Sequence, residues 1–104
     1  MHIIPVAMNT SAIRAAIENK ELVEFTYKGF QRVAEPHVYG IHKGKRQLLV
    51  YQVGGNTSSG SIPDWRRVIL DDISNFKALA GTRFSGPRPM PETYEWDTVI
   101  TAVK

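Results

Sequence analysis

The stretch "ELVEFTYKGFQRVAEPHVYGIHKGKRQLLVYQVGG", residues 21–55, carries a two-residue period. Val23, Phe25 and Tyr27 alternate with Glu24, Thr26 and Lys28. Successive side chains of a strand point to opposite faces, so this alternation demands extended chain with one buried face. Lys28-Gly29 and Lys43-Gly44 interrupt the pattern. Glycine takes a positive φ there at little steric cost, as a tight hairpin turn requires. Two hairpins in succession predict three antiparallel strands, near residues 22–28, 31–42 and 46–53. Pro36 has no N–H for a ladder and implies a bulge or an edge in the second strand. Leu48, Leu49, Val50 and Tyr51 are apolar on both faces, which places the third strand at the centre.

The flanks extend this sheet. "NTSAIRAAIENKE" reads as a short helix, with Thr10 or Ser11 as its cap and Ile13, Ala16 and Ile17 as one apolar stripe. Residues 1–9 form a lead-in that can include a short strand at Ile3-Ile4. "GGNTSSGSIPD" reads as a flexible surface loop, and two further strands are expected near 65–70 and 73–79. "GTRFSGPRPMPET" holds three prolines and excludes regular structure. In "EWDTVITAVK" the residues Trp96, Val99, Ile100 and Val103 stand at helical spacing, which predicts an amphipathic C-terminal helix docked on the sheet or on a partner. The expected fold is mainly β with flanking helices. Its centre is a small, bent, five-stranded antiparallel sheet of Sm-like or SH3-like type, with an N-terminal helix and a C-terminal tail helix. Residues 1–9 are the lead-in, 10–80 the domain and 81–104 the Pro-rich tail.

With 104 residues the chain is one domain. Its net charge of +3 permits a local anionic partner without arguing for a protein that coats nucleic acid. The absence of cysteine excludes disulfides, thiol chemistry and cysteine-containing zinc sites. No basic leader with a long apolar stretch is present, and no apolar run approaches the ~20 residues that span a bilayer. A soluble, cytoplasmic protein without membrane contact is expected. Catalytic patterns fail on inspection. Gly55 and Gly60 have phosphate-loop spacing, but Ser61 stands where the lysine belongs and Pro63 blocks the helix. His37 and His42 fall on opposite faces of a regular strand, and Asp71-Asp72 reads as a turn. No catalytic residue, metal or cofactor is expected, so the chain is read as a non-enzyme.

Residues 12–79 resemble the WYL domain, an Sm-like bent sheet found in bacterial transcriptional regulators. The matching pieces are "AIRAAIENKELVEFTYKG", then "RVAEPHVYGIHKGKRQLLVYQV" with Arg32 and Pro36 at family positions, and "RRVILDDISNF" with Arg66 on the first arginine of the closing stretch. The naming tripeptide Trp-Tyr-Leu reads Arg46-Gln47-Leu48, and the family's arginine before the last isoleucine is Asp72. The resemblance implies a divergent member that senses a nucleotide or short single-stranded nucleic acid on a basic surface. Only about ten residues precede the first helix, too few for a three-helix DNA reader. Regulatory output is therefore expected through a homodimer or a separate regulator chain.

The candidate ligand site gathers Arg66, Arg32 and Arg46 with Tyr27, Tyr51 and Trp65. Arginine offers a planar fork for phosphate, and an aromatic face stacks a base. Tyr27 and Tyr51 read first as core residues and second as stacking platforms. Lys43, Lys45 and Arg67 read as solvated cations, since adjacent Arg66 and Arg67 point to opposite faces of a regular strand. Trp96, Val99, Ile100 and Val103 form the candidate interface for the alternative role, a protein-interaction or dimerisation module.

Overall fold

A computed structural model describes residues 10–56 and 62–104. The expected lead-in, its Ile3-Ile4 strand and residues 57–61 of the loop lie outside the described residues. Helix α1 spans Thr10–Asn19 and buries Ile13, Ala16 and Ile17, the stripe that the spacing predicts. It ends in a Schellman-type turn. Lys20 takes a φ of 56°, its N–H donates to the Ile17 carbonyl at 3.2 Å, and the Glu21 N–H donates to the Ala16 carbonyl at 3.0 Å.

Strands β1 (Val23–Tyr27), β2 (Phe30–His42) and β3 (Lys45–Gly55) form the two hairpins. Both turns have positive φ at lysine and at glycine, 53° and 80° at Lys28-Gly29 and 53° and 77° at Lys43-Gly44. This is the type I′ geometry whose twist matches that of paired strands. Strands β4 (Asp64–Ile69) and β5 (Ile73–Ala78) follow, joined by a 3-10 turn at Leu70–Asp72. The antiparallel sheet runs β4-β3-β2-β1-β5, and β3 lies between two neighbours as its double apolar pattern requires. The β2–β3 register shifts between Pro36 and Val38, which leaves His37 as the extra residue of a bulge.

The chain's end departs from expectation. Thr98–Ala102 is a sixth strand, β6, paired with β2, and the predicted tail helix is not formed. Helical spacing of Trp96, Val99, Ile100 and Val103 is outweighed by a run of β-branched residues at 98–101, which favours extended backbone. The site for it is long-range. β1 covers β2 only as far as Ala34, and β6 takes up the same edge from Val38 to Ile41.

The sheet has two covered faces. The inner face packs Phe25, Tyr27, Ala34, Leu48, Val50 and Val68 against α1, joined by Phe84 and Val103 from the tail. On the outer face Leu49 and Val38 are opposite each other in register and are buried outside that core cluster. The segment 81–97 is free of regular structure, as its prolines predict; it starts at the end of α1, where Phe84 joins the core, and from Arg88 to Trp96 it straps the outer face. Phe84 stacks on His37, Arg88 bonds to Glu35, and Trp96 packs against Arg67. No helix among the described residues is long and apolar enough to cross a membrane.

Candidate functional site

Arg32 is the most unusual side chain of the inner face. It stands on β2, opposite Phe25 of β1 and Gly55 of β3, and is only 4% exposed. Its guanidinium carbon lies 5.3 Å from the centre of the Tyr27 ring and 5.9 Å from that of Phe30. Nη1 donates to Gln52 Oε1 at 3.4 Å and Nη2 to the Tyr27 carbonyl at 3.3 Å, both long, while the buried Nε has no partner among the described residues. No carboxylate among the described residues forms an ion pair with it. Burial, and next the charge of Arg66, pull its pKa below the usual guanidinium value, with Tyr27 opposing. A guanidinium still keeps its proton at neutral pH. Arg32 is therefore a desolvated cation with donor capacity to spare.

The surrounding strands hold it there. Arg66 of β4 lies opposite Val50, so strand alternation sends it to the inner face. Its Nη1 donates to Asp64 Oδ2 and to the Trp65 carbonyl, both at 3.1 Å. Gln52 uses its amide N–H groups on the carbonyls of Gly54 at 3.0 Å and Asn56 at 3.1 Å, which leaves Oε1 aimed at Arg32. Gly55 permits this approach. It has a φ of 81°, and a Cβ there would lie 2.8 Å from Arg32 Cα and against the Gln31 carbonyl.

Three other sequence candidates do not join this cluster. Tyr51 and Trp65 face each other across β3 and β4 on the outer face, edge to face at 5.2 Å. Arg46 pairs with Asp71 at 3.3 Å and stands opposite Ile41, nine residues further along β2 than Arg32. That is about 30 Å of extended strand before bending. Tyr27 does join, as the platform beneath Arg32, and its hydroxyl accepts from the Ile69 N–H at 3.4 Å. Arg67 is no solvated cation. Its guanidinium sits between the rings of Tyr94 and Trp96, at 5.0 and 4.7 Å, and donates to the Glu95 carbonyl at 2.8 Å. Lys43 and Lys45 are exposed at the β2–β3 turn.

The candidate interface divides in the same way. Trp96 packs on its own sheet over Gly40, and Val103 belongs to the core. Val99 and Ile100 alone face solvent, 51% and 39% exposed.

The outer face holds a second polar cluster that spacing did not reveal. Glu35 is 5% exposed, and Arg88 grips its carboxylate with both Nε (2.6 Å) and Nη2 (2.9 Å). Next to it His37 is fully buried, edge-on to Trp65 at 4.8 Å and stacked on Phe84 at 5.2 Å. His37 Nδ1 lies 2.9 Å from the Glu35 carbonyl, to which it donates, and Nε2 has no partner among the described residues. Burial lowers the His37 pKa, against smaller opposing effects from Glu35, so the ring is neutral at pH 7. Neither His37 nor His42 belongs to a metal-ligating cluster among the described residues. A polar Gln52 in a central apolar strand was a readable signal for the inner cluster. Arg88, in an irregular Pro-rich stretch, offered none.

No protein-family model, curated protein or solved structure matches the chain.

Proposed function

We propose that the protein is a WYL-like sensing module, non-catalytic, that binds an anionic effector at the inner cluster of Arg32 and Arg66. The effector class is a nucleotide or a short single-stranded nucleic acid. One observation carries this reading: a nearly buried guanidinium with an unpartnered Nε, no carboxylate partner among the described residues, and a second arginine close enough to depress its pKa. Arg66 is already paired with Asp64, so the uncompensated charge is that of Arg32, whose burial beside Arg66 costs stability that a phosphate offsets. The planar forks fit phosphate oxygens, and Phe30, close to Arg32, supplies an aromatic face for a base. The Sm-like reading of the sheet is supported by its order, β4-β3-β2-β1-β5, behind an N-terminal helix. Cytoplasmic residence and output through a separate regulator chain belong to the same proposal.

Amide NMR titration with a pool of short oligonucleotides and mononucleotides tests it at low and high salt. Shifts centred on Arg32, Gln52, Gly55 and Arg66 that weaken with salt support the site. Shifts spread over the exposed lysines alone sink it. A second reading, homodimerisation through the chain's end, rests on Val99 and Ile100, exposed apolar residues on β6. A monomer at high concentration in sedimentation equilibrium removes it.

A further inference from the structure

We propose that the outer face carries a guanidinium-recognition pocket, built by Glu35, Tyr51 and Trp65 and occupied in cis by Arg88, which accepts an arginine side chain from a proline-flanked peptide. Glu35 of β2 and Tyr51 of β3 are direct partners in register, and Trp65 of β4 is the next residue across. The three therefore form one row over adjacent strands. A carboxylate with only 5% exposure is costly as an anion unless a cation or hydrogen bonds compensate it. Arg88 meets it as a parallel two-bond fork at 2.6 and 2.9 Å, the geometry that distinguishes a guanidinium from an ammonium. The same guanidinium lies 4.5 Å from the centre of the Tyr51 ring, and Trp65 braces that ring edge-on at 5.2 Å. Buried carboxylate, aromatic floor and aromatic brace are what an arginine receptor needs.

Receptor and occupant differ in how they are held. Glu35, Tyr51 and Trp65 stand on paired strands, so the pocket is preformed. Arg88 hangs from the strap, with exposed Pro87, Pro89, Met90 and Pro91 around it, and its own side chain is 46% exposed. Solvent therefore reaches the occupied site from the strap side. The tether gives Arg88 a high local concentration, so an external arginine competes at a disadvantage that removal of Arg88 abolishes. A peptide with arginine between two prolines copies residues 87–89 and enters with its backbone already extended. This inference is independent of the anion site, which lies on the opposite face of the sheet.

The test is the full chain carrying Arg88→Ala, titrated with methylguanidinium and with a blocked Pro-Arg-Pro peptide, read by melting temperature and tryptophan fluorescence. The variant is expected to melt lower by at least roughly 12 °C. Both ligands should restore part of that loss saturably, methylammonium at equal ionic strength should not, and Glu35→Gln added to the variant should abolish the response. Arg88→Lys, which keeps a cation beside Glu35 but loses the fork, provides a folded background for the same titration if the alanine variant does not fold. Equal rescue by methylammonium, no saturable response in either background, or an undiminished response with Glu35→Gln overturns the proposal.

Discussion

Arg32→Met separates a structural arginine from a functional one. In wild type the guanidinium is 4% exposed, makes two bonds of 3.3 and 3.4 Å and leaves Nε unpartnered. Methionine removes the orphaned buried donor, a gain of about 1–3 kcal/mol, and ends the repulsion from Arg66. It also leaves Gln52 Oε1 without its donor and removes the long bond to the Tyr27 carbonyl, together a loss of about 1–3 kcal/mol. The two effects nearly offset. Stability should change by less than about 1.5 kcal/mol, whereas removing the partner of a buried carboxylate costs about 3–5 kcal/mol. Binding behaves differently. Bonds to a charged group are each worth about 1.5–3 kcal/mol, so nucleotide affinity should fall about 10- to 150-fold. Urea denaturation and isothermal titration on the same samples measure both. A stability loss above about 3 kcal/mol would falsify the functional assignment by showing the guanidinium to be a structural tie. Unchanged affinity with unchanged stability would refute it from the other side.

Other perturbations test the frame around the sites. Gly40→Ala drives a Cβ against the Thr98 carbonyl and to 2.9 Å from Trp96 Cε3, so urea melts should show a loss of about 1–3 kcal/mol; Gly54→Ala, whose nearest neighbour is 3.5 Å away, should stay within about 0.5 kcal/mol. Arg67→Ala removes two aromatic contacts and the bond to the Glu95 carbonyl, and should cost about 1–3 kcal/mol and speed hydrogen exchange at Glu95 to Asp97; unchanged exchange there would mean the clamp does not hold the strap. His37 has a folded pKa below its ordinary value of 6.5, so the unfolded chain binds the proton more readily. Its contribution is full above about pH 6.5 and falls as the pH drops below that, until the folded pKa is reached. Urea midpoints from pH 8 to 5 should fall in wild type, and the decline should be shallower in His37→Phe; identical slopes would reject the assignment.

Local chemistry wrote much of the fold in readable form. The alternation at Val23, Phe25 and Tyr27 and the two Lys-Gly turns determine three strands, because both signals act over a few residues. The stripe of Ile13, Ala16 and Ile17 likewise marks α1, and Pro36 marks its bulge. The arginine pair at 66–67 was partly legible, since alternation alone sends its members to opposite faces. Which face is inner, and what each arginine meets there, depends on register with β3 and on where residues 94–96 return.

Arg32, Arg66, Arg46, Tyr51 and Trp65 look equivalent in one dimension. Three-dimensional pairing sends the first two inward, Arg46 to the far end of the hairpin, and the two aromatics to the outer face. The tail shows the same division. Its β-branched run was compatible with a strand, but whether it became one depended on an edge of β2 left open beyond Ala34, more than sixty residues earlier in the chain. Sequence by itself determined what is decided by neighbouring residues: periods, turns and the helix stripe. Tertiary structure alone decided what requires distant strands to meet, which is why both the unpaired Arg32 and the Glu35–Arg88 fork emerge only in the folded chain.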